Sequence, residues 1–225
     1  MGDLKSFLIG SKLPFRSKAS DMLINRILAD KYTMGCRARL LNLKKQVEDL
    51  CELKGSLVEC GVAQGGCLAI MRYFSKPTTK IWGFDSFEGM PKLTDEDESD
   101  GDSWVGHNCS VDGQQAVHSA FDMLGVCEDN VQLVKGWFED TLEKSKADIG
   151  PISILRLDND WYKSTMYCLD TLYDSVLPGG AVIIDDYYTF KGCRKAVDQF
   201  REKVGEDSPL IVTQKDSEVY WLKSG

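Results

Sequence analysis

With 225 residues, 43% of them hydrophobic, the chain can bury one substantial core and is short for two. Its 35 acidic against 27 basic side chains leave a net charge of -8, which repels polyanions and excludes a general nucleic-acid binder or a protein held to anionic membranes by charge. No apolar stretch exceeds strand length, and the N-terminus lacks the apolar run of a secretory signal, so a cytoplasmic protein with small-molecule partners is expected. The eight cysteines form no Cys-x-x-Cys pair and have no histidine at zinc-ligand spacing. Reduced, mostly buried thiols are expected.

Residues 1–30 are of mixed polarity, and only Asp21–Leu28 has helical spacing, through Met22, Leu23, Ile27 and Leu28. They are expected to form an N-terminal arm or lid ahead of a single domain over 31–225. From Arg37 to Leu53, Leu40, Leu43, Val47, Leu50 and Leu53 recur every three or four positions, which predicts an amphipathic helix stopped by Gly55. Beyond it the period alternates. Strand-like runs occur at Ser56–Val62, Lys80–Asp85, Val131–Lys135, Ile152–Leu157, Gly180–Ile184, Leu210–Gln214 and Val219–Leu222; helices are predicted at Gly66–Phe74, Gly113–Leu124, Lys163–Ser175 and Gly192–Val204. This is a βαβ alternation, so the fold class is α/β with a mostly parallel sheet. The last two strands have only a short acidic link between them, which predicts a hairpin and one antiparallel edge strand. The acidic run Thr94–Asp102 has no apolar content and is expected to be a solvated loop, either an active-site lid or ordinary surface.

Two apolar runs end abruptly in acids: Ile152–Leu157 in Asp158-Asn159-Asp160, and Ala181–Ile184 in Asp185-Asp186. Buried parallel strands would place these carboxylates at their C-terminal ends, where open α/β sheets hold ligands. Crowded there, they repel one another unless a cation or proton neutralises them, and an oxygen-seeking dication such as magnesium is the natural partner. A helix cap before Lys163 and a strand-ending turn are the ordinary explanations of the two motifs. The first strand runs into Glu59-Cys-Gly61-Val-Ala-Gln-Gly65-Gly66 and then a helix, a turn whose backbone can approach a bound group. Its spacing is neither G-x-G-x-x-G nor a phosphate-binding loop. Asp85, 26 residues after Glu59 at the end of the second strand, sits where an acid conventionally takes ribose hydroxyls, so a nucleoside-bearing ligand is expected.

Glu59–Gly66, Gly83-Phe-Asp-Ser-Phe-Glu-Gly-Met-Pro91, Gly136-Trp-Phe-Glu-Asp-Thr-Leu142, Leu155–Thr165, Leu177-Pro-Gly-Gly180 and Ile184-Asp-Asp-Tyr187 together resemble the macrocin O-methyltransferase family. The resemblance runs from about Tyr32 to about Phe200. It implies a Rossmann-like class I methyltransferase with a seven-stranded sheet in the order 3-2-1-4-5-7-6, an antiparallel C-terminal hairpin strand and helices on both faces. It also implies divalent-metal-dependent O-methylation of a sugar, polyketide or phenolic natural product by S-adenosylmethionine. On that resemblance Glu59, Gly61, Gly65, Asp85, Ser86 and Phe87 hold the cofactor, Gly136 and Trp137 lie beside its adenine, and Thr33 and Met34, after Tyr32, close over it. Asp158, Asp185 and Asp186 are the implied ligands of Mg2+ or another dication, and Asp160 the implied catalytic base. A homodimer is the base-rate expectation.

The family usually has glycine where this chain has Asn159, and asparagine is expected to keep the left-handed turn there. His107, in the acidic-loop region, is an alternative base, since histidine titrates near neutrality. A dehydrogenase using a nicotinamide cofactor and a cofactor-binding protein without catalysis are the alternatives; the missing dinucleotide fingerprint and the terminal hairpin oppose the first, the complete acidic set the second.

Overall fold

A computed structural model describes residues 14–98, 105–109, 112–213 and 218–225. Seven strands form one sheet: β1 (Ser56–Cys60), β2 (Ile81–Asp85), β3 (Val131–Lys135), β4 (Ile152–Leu157), β5 (Val176–Ile184), β6 (Ile211–Val212) and β7 (Val219–Leu222), in the order β3-β2-β1-β4-β5-β7-β6. This is the implied order. Strands β1 to β5 are mutually parallel, and β7 is antiparallel to both β5 and β6. The antiparallel strand therefore lies inside the sheet and not at its edge as expected. Val219 and Trp221 of β7 are fully buried, whereas Ile211 and Val212 of β6 are exposed, as their inner and edge positions in the sheet require.

Among the described residues seven α-helices flank the sheet: α1 (Pro14–Ala29), α2 (Arg37–Asp49), α3 (Gly66–Phe74), α4 (Gln114–Leu124), α5 (Phe138–Ile149), α6 (Tyr162–Leu172) and α7 (Lys191–Val204). Helix α5 was not predicted, because only Leu142 and Ile149 of its twelve residues are buried and so sparse a stripe carries little periodicity. Helix α2 stops at Asp49, well before Gly55. Gly55 serves a close approach instead, since a Cβ there would lie 2.5 Å from the Ser153 amide nitrogen. The described part of the expected N-terminal arm is built into the domain, with Ile24 and Ile27 of α1 fully buried in the core.

Strand alternation divides the core. Leu57, Ile154, Ala181 and Ile183 pack with Ile27, Leu43, Leu68 and Phe121 from α1 to α4 on one face. Val58, Leu155, Val182 and Ile184 pack with Leu142, Leu169 and Val197 from α5 to α7 on the other. All eight cysteines are free thiols, with Cys60, Cys67, Cys168 and Cys193 buried. No described helix is long and apolar enough to cross a membrane.

Candidate active site

The same alternation builds one wall of a cavity of about 350 Å³ at the C-terminal ends of β1, β2, β4 and β5. Two residues beyond Leu57, Ile154 and Ile183, the residues Glu59, Arg156 and Asp185 share a face. Arg156 is 1% exposed; its Nη1 donates to Glu59 Oε1 at 2.7 Å and Asp158 Oδ2 at 2.9 Å, and its Nη2 to Asp185 Oδ1 at 2.5 Å. Arg39, from α2, donates to the other oxygen of Asp185. Neither arginine was singled out in the sequence. The available signal was Arg156 itself, a cation inside an otherwise apolar strand run and two residues before an acid.

Beside that wall, one oxygen each of Asp158, Asp160 and Asp186 lie within 4.8 Å of one another. An all-carboxylate oxygen set at this spacing fits a hard dication. Counting Glu59 and Asp185, these five acids outnumber the two guanidinium groups, an excess that protons or a cation can neutralise. Burial lifts Asp160 to about 7, and the charges of Asp158 and Asp185 add to the rise. Asp186 is pushed well above the carboxylate range by burial and by Asp160, with which it shares a hydrogen bond that needs one of the two carboxyls protonated. Burial and the neighbouring Asp158 likewise raise Asp185, and burial carries Glu59 to about 8 against the pull of Arg156. Asp185, implied as a metal ligand, is thus held by arginines outside the three-carboxylate cluster, while Asp160, implied as the base, lies within it.

The glycine turn is closed by its own neighbours. Gly61 has φ 93°, and a Cβ there would stand 1.8 Å from the Asp158 carbonyl oxygen, so only glycine lets β1 and β4 end this close together. Asp85 Oδ2 accepts from the Val62 and Ala63 amides, each at 2.9 Å, and Oδ1 from the Phe87 amide at 2.7 Å. The Tyr32 carbonyl accepts from the Gly66 amide at 2.9 Å, which ties the segment before α2 to the first turn of α3. Of the implied cofactor residues, Thr33, Met34, Glu59, Gly61 and Asp85 line the cavity. The other five do not. Gly65 is the left-handed cap of α3, and Phe87 is buried in the core. Ser86 bonds within its own turn, with Oγ accepting from the Glu88 amide. The Gly136 amide donates to the Asp85 carbonyl oxygen, and Trp137, 36% exposed, caps α5.

The acidic run is not wholly solvated. Asp97 is 1% exposed: Oδ2 accepts from Thr94 N (2.9 Å) and Oγ1 (2.8 Å), and Oδ1 from the Tyr162 amide (2.6 Å). Residues 99–102, also expected in that loop, lie outside the described residues. His107 lines the cavity, and its carbonyl accepts from the Met90 amide while the Met90 carbonyl accepts from the Gly106 amide. The left-handed residue after β4 is Asp160, with φ 60°, and not Asn159. Asn159 is buried; its Oδ1 accepts from Thr165 Oγ1 at 2.9 Å and its Nδ2 donates to Cys168 Sγ at 3.2 Å. Those contacts spend its side chain on α6, which leaves the next residue to make the turn.

Residues 16–223 match the family model described as Macrocin-O-methyltransferase (TylF). The demethyldecarbamoylnovobiocin O-methyltransferase of Streptomyces niveus is 34% identical over 87% of this chain and 77% of its own length. The mycinamicin III 3''-O-methyltransferase of Micromonospora griseorubida is 33% identical over 86% and 79%. The solved structure of the O-methyltransferase NovP superposes with a TM-score of 0.82 at 29% identity, covering 93% of this chain and 99% of that one.

Proposed function

Because this chain belongs to the macrocin O-methyltransferase family and is an O-methyltransferase, we propose that it moves a methyl group from S-adenosylmethionine to a metal-bound hydroxyl of a glycosylated or polyketide natural product. The observation that carries this reading is the opening of the Asp158-Asp160-Asp186 cluster into the same cavity as Gly61 and Asp85. The acceptor class rests on the relatives, whose names specify novobiocin- and mycinamicin-type substrates.

The proposed metal ligands are Asp158, Asp185 and Asp186. Two of them share the cluster, and Asp185, its oxygens now on Arg156 and Arg39, would be the third. A bound dication supplies Lewis acidity that lowers the pKa of the acceptor hydroxyl. Asp160, in the same cluster, would accept that proton as the oxygen takes the methyl group, the donor's sulfonium leaving as the neutral thioether. Asp85, its oxygens turned to the glycine loop, keeps acceptor capacity for a ribose hydroxyl.

The test is a product mass shift of one methyl in a screen of glycoside, polyketide and phenolic acceptors with S-adenosylmethionine and magnesium. Chelation should abolish turnover, and Asp160→Asn should lower kcat on the order of 100-fold or more. Turnover by Asp160→Asn at the wild-type rate, indifferent to chelator, would refute the mechanism.

A further inference from the structure

Helix α6 begins immediately after the turn that carries Asp158, Asn159 and Asp160, and its own N-cap residue, Trp161, supplies no side-chain cap. The cap comes from 65 residues away: Asp97 Oδ1 accepts from the Tyr162 amide, the first N–H of the helix, at 2.6 Å. A carboxylate there suits the positive end of the helix. Its second oxygen is fixed by the Thr94 amide and hydroxyl, so the carboxylate cannot turn away without breaking its own loop.

Two further contacts hold the same loop, one to this turn and one to α7. Trp161 Nε1 donates to the Pro91 carbonyl at 3.2 Å, and Lys191 Nζ, at the start of α7, pairs with Glu98 at 2.9 Å. Gly192, in the first turn of α7, leaves the space that Asp97 occupies, since a Cβ there would fall 2.0 Å from Asp97 Oδ1 and 3.1 Å from its Cα. Between these anchors lies Asp160 with φ 60°, a conformation that costs a non-glycine residue free energy and persists only when its surroundings hold it. The Trp161 amide closes the turn on the Asn159 carbonyl at 2.7 Å. Nothing in the proposed chemistry uses Asp97, yet it is among the most buried acids of the chain.

We infer that Asp97 is a positioning residue: by capping α6 across the fold it fixes the left-handed turn that presents Asp160 to the acceptor hydroxyl. The inference rests on the assignment of Asp160 as base.

Steady-state kinetics of the metal-loaded enzyme on a verified acceptor test it. Asp97→Ala should lower kcat about 10-fold to 100-fold, the scale expected for a displaced catalytic group, with KM for acceptor and donor within about twofold of wild type. Asp97→Asn keeps an oxygen for the Tyr162 amide and should restore most of kcat. Thr94→Ala removes the hydroxyl but keeps the amide on Asp97 Oδ2, and should lower kcat by less than Asp97→Ala. Gly192→Ala leaves Asp97 in the chain but fills its place, and should reproduce the kcat loss in a soluble protein even if Asp97→Ala does not fold, because alanine is the better helix former. Adding Asp97→Ala to Asp160→Asn should cost little more, since the base being positioned is already gone. A rise in KM at constant kcat, equal losses in the Asn and Ala variants, or multiplicative losses in the double variant would overturn the inference. A wild-type rate in Asp97→Ala beside a crippled Asp160→Asn defeats the inference alone, whereas a wild-type rate in Asp160→Asn removes the base assignment on which it stands.

Discussion

Arg156 and Glu59 meet at 2.7 Å from adjacent strands, each side chain 1% exposed, and the same guanidinium also holds Asp158 and Asp185. The pair is the internal counter-charge of the acidic cavity. Above about pH 8, where Glu59 is ionised, removing one partner of this buried ion pair leaves uncompensated charge and costs about 3–5 kcal/mol. Arg156→Met is therefore expected to lower the unfolding free energy measured by urea titration at that pH by that amount, with most of the deficit recovered in Arg156→Met/Glu59→Gln. Wild-type stability in the single variant would mean that the carboxylates are neutralised without Arg156.

Stability should also depend on pH in a definite direction. Glu59 is lifted to about 8 and Asp160 to about 7 by burial, and Asp185 and Asp186 are raised as well. A carboxylate raised in the fold binds more protons folded than unfolded, so its contribution is complete below the unfolded value of about 4 and is lost as pH climbs through the folded one. The metal-free protein is expected to lose Tm steadily between about pH 5 and 8. Magnesium competes with those protons, so its stabilising shift in Tm should be larger at pH 8 than at pH 6. Equal shifts at the two pH values in a thermal melt would contradict this.

Glu206 behaves oppositely. It is buried, and hydrogen bonds from Tyr173 Oη, the Ser208 amide and the Ser224 amide outweigh its desolvation and lower it to about 2. Its contribution is present above the unfolded glutamate value and is lost as pH falls toward about 2. Glu206→Gln should cost about 2 kcal/mol at neutral pH, and a chemical-denaturation series should show the difference from wild type closing below about pH 4. A constant gap across that range would argue against ionised Glu206 as the cause.

Asn159→Gly restores the residue usual in the family and deletes the bonds to Thr165 and Cys168. The expected result is a loss of about 1–3 kcal/mol, from the bonds and from the added freedom of glycine in the unfolded chain. Magnesium affinity should hold within a fewfold, because Asp160 and not Asn159 adopts the left-handed conformation. A large fall in magnesium affinity by calorimetry would show that Asn159 shapes the cluster.

Much of this architecture was legible as pattern. Alternating periods placed β1 to β5, and β3, β4, β7 and α3 fall at the predicted bounds. Carboxylates following apolar runs located the cavity, because parallel strands align their C-terminal ends wherever their termini lie in the chain. What the pattern could not supply was the pairing across the fold. The buried stripe of α5 is too thin to show a period, and a hairpin link by itself does not say which of its strands pairs with β5, a placement that the family's strand order supplies.

The residue types and their order along the chain dictated the sheet, the glycine turn and the acidic strand ends, since each depends on backbone geometry repeating within a few residues. Arg39 on Asp185, 146 residues apart, and Asp97 on Tyr162, 65 apart, were decided only by the assembled fold. Such contacts follow from how helices pack against the open sheet, a geometry set by the core as a whole and not by any local period. They decide which carboxylates are neutralised by arginine, which remain for a cation, and which one holds the turn.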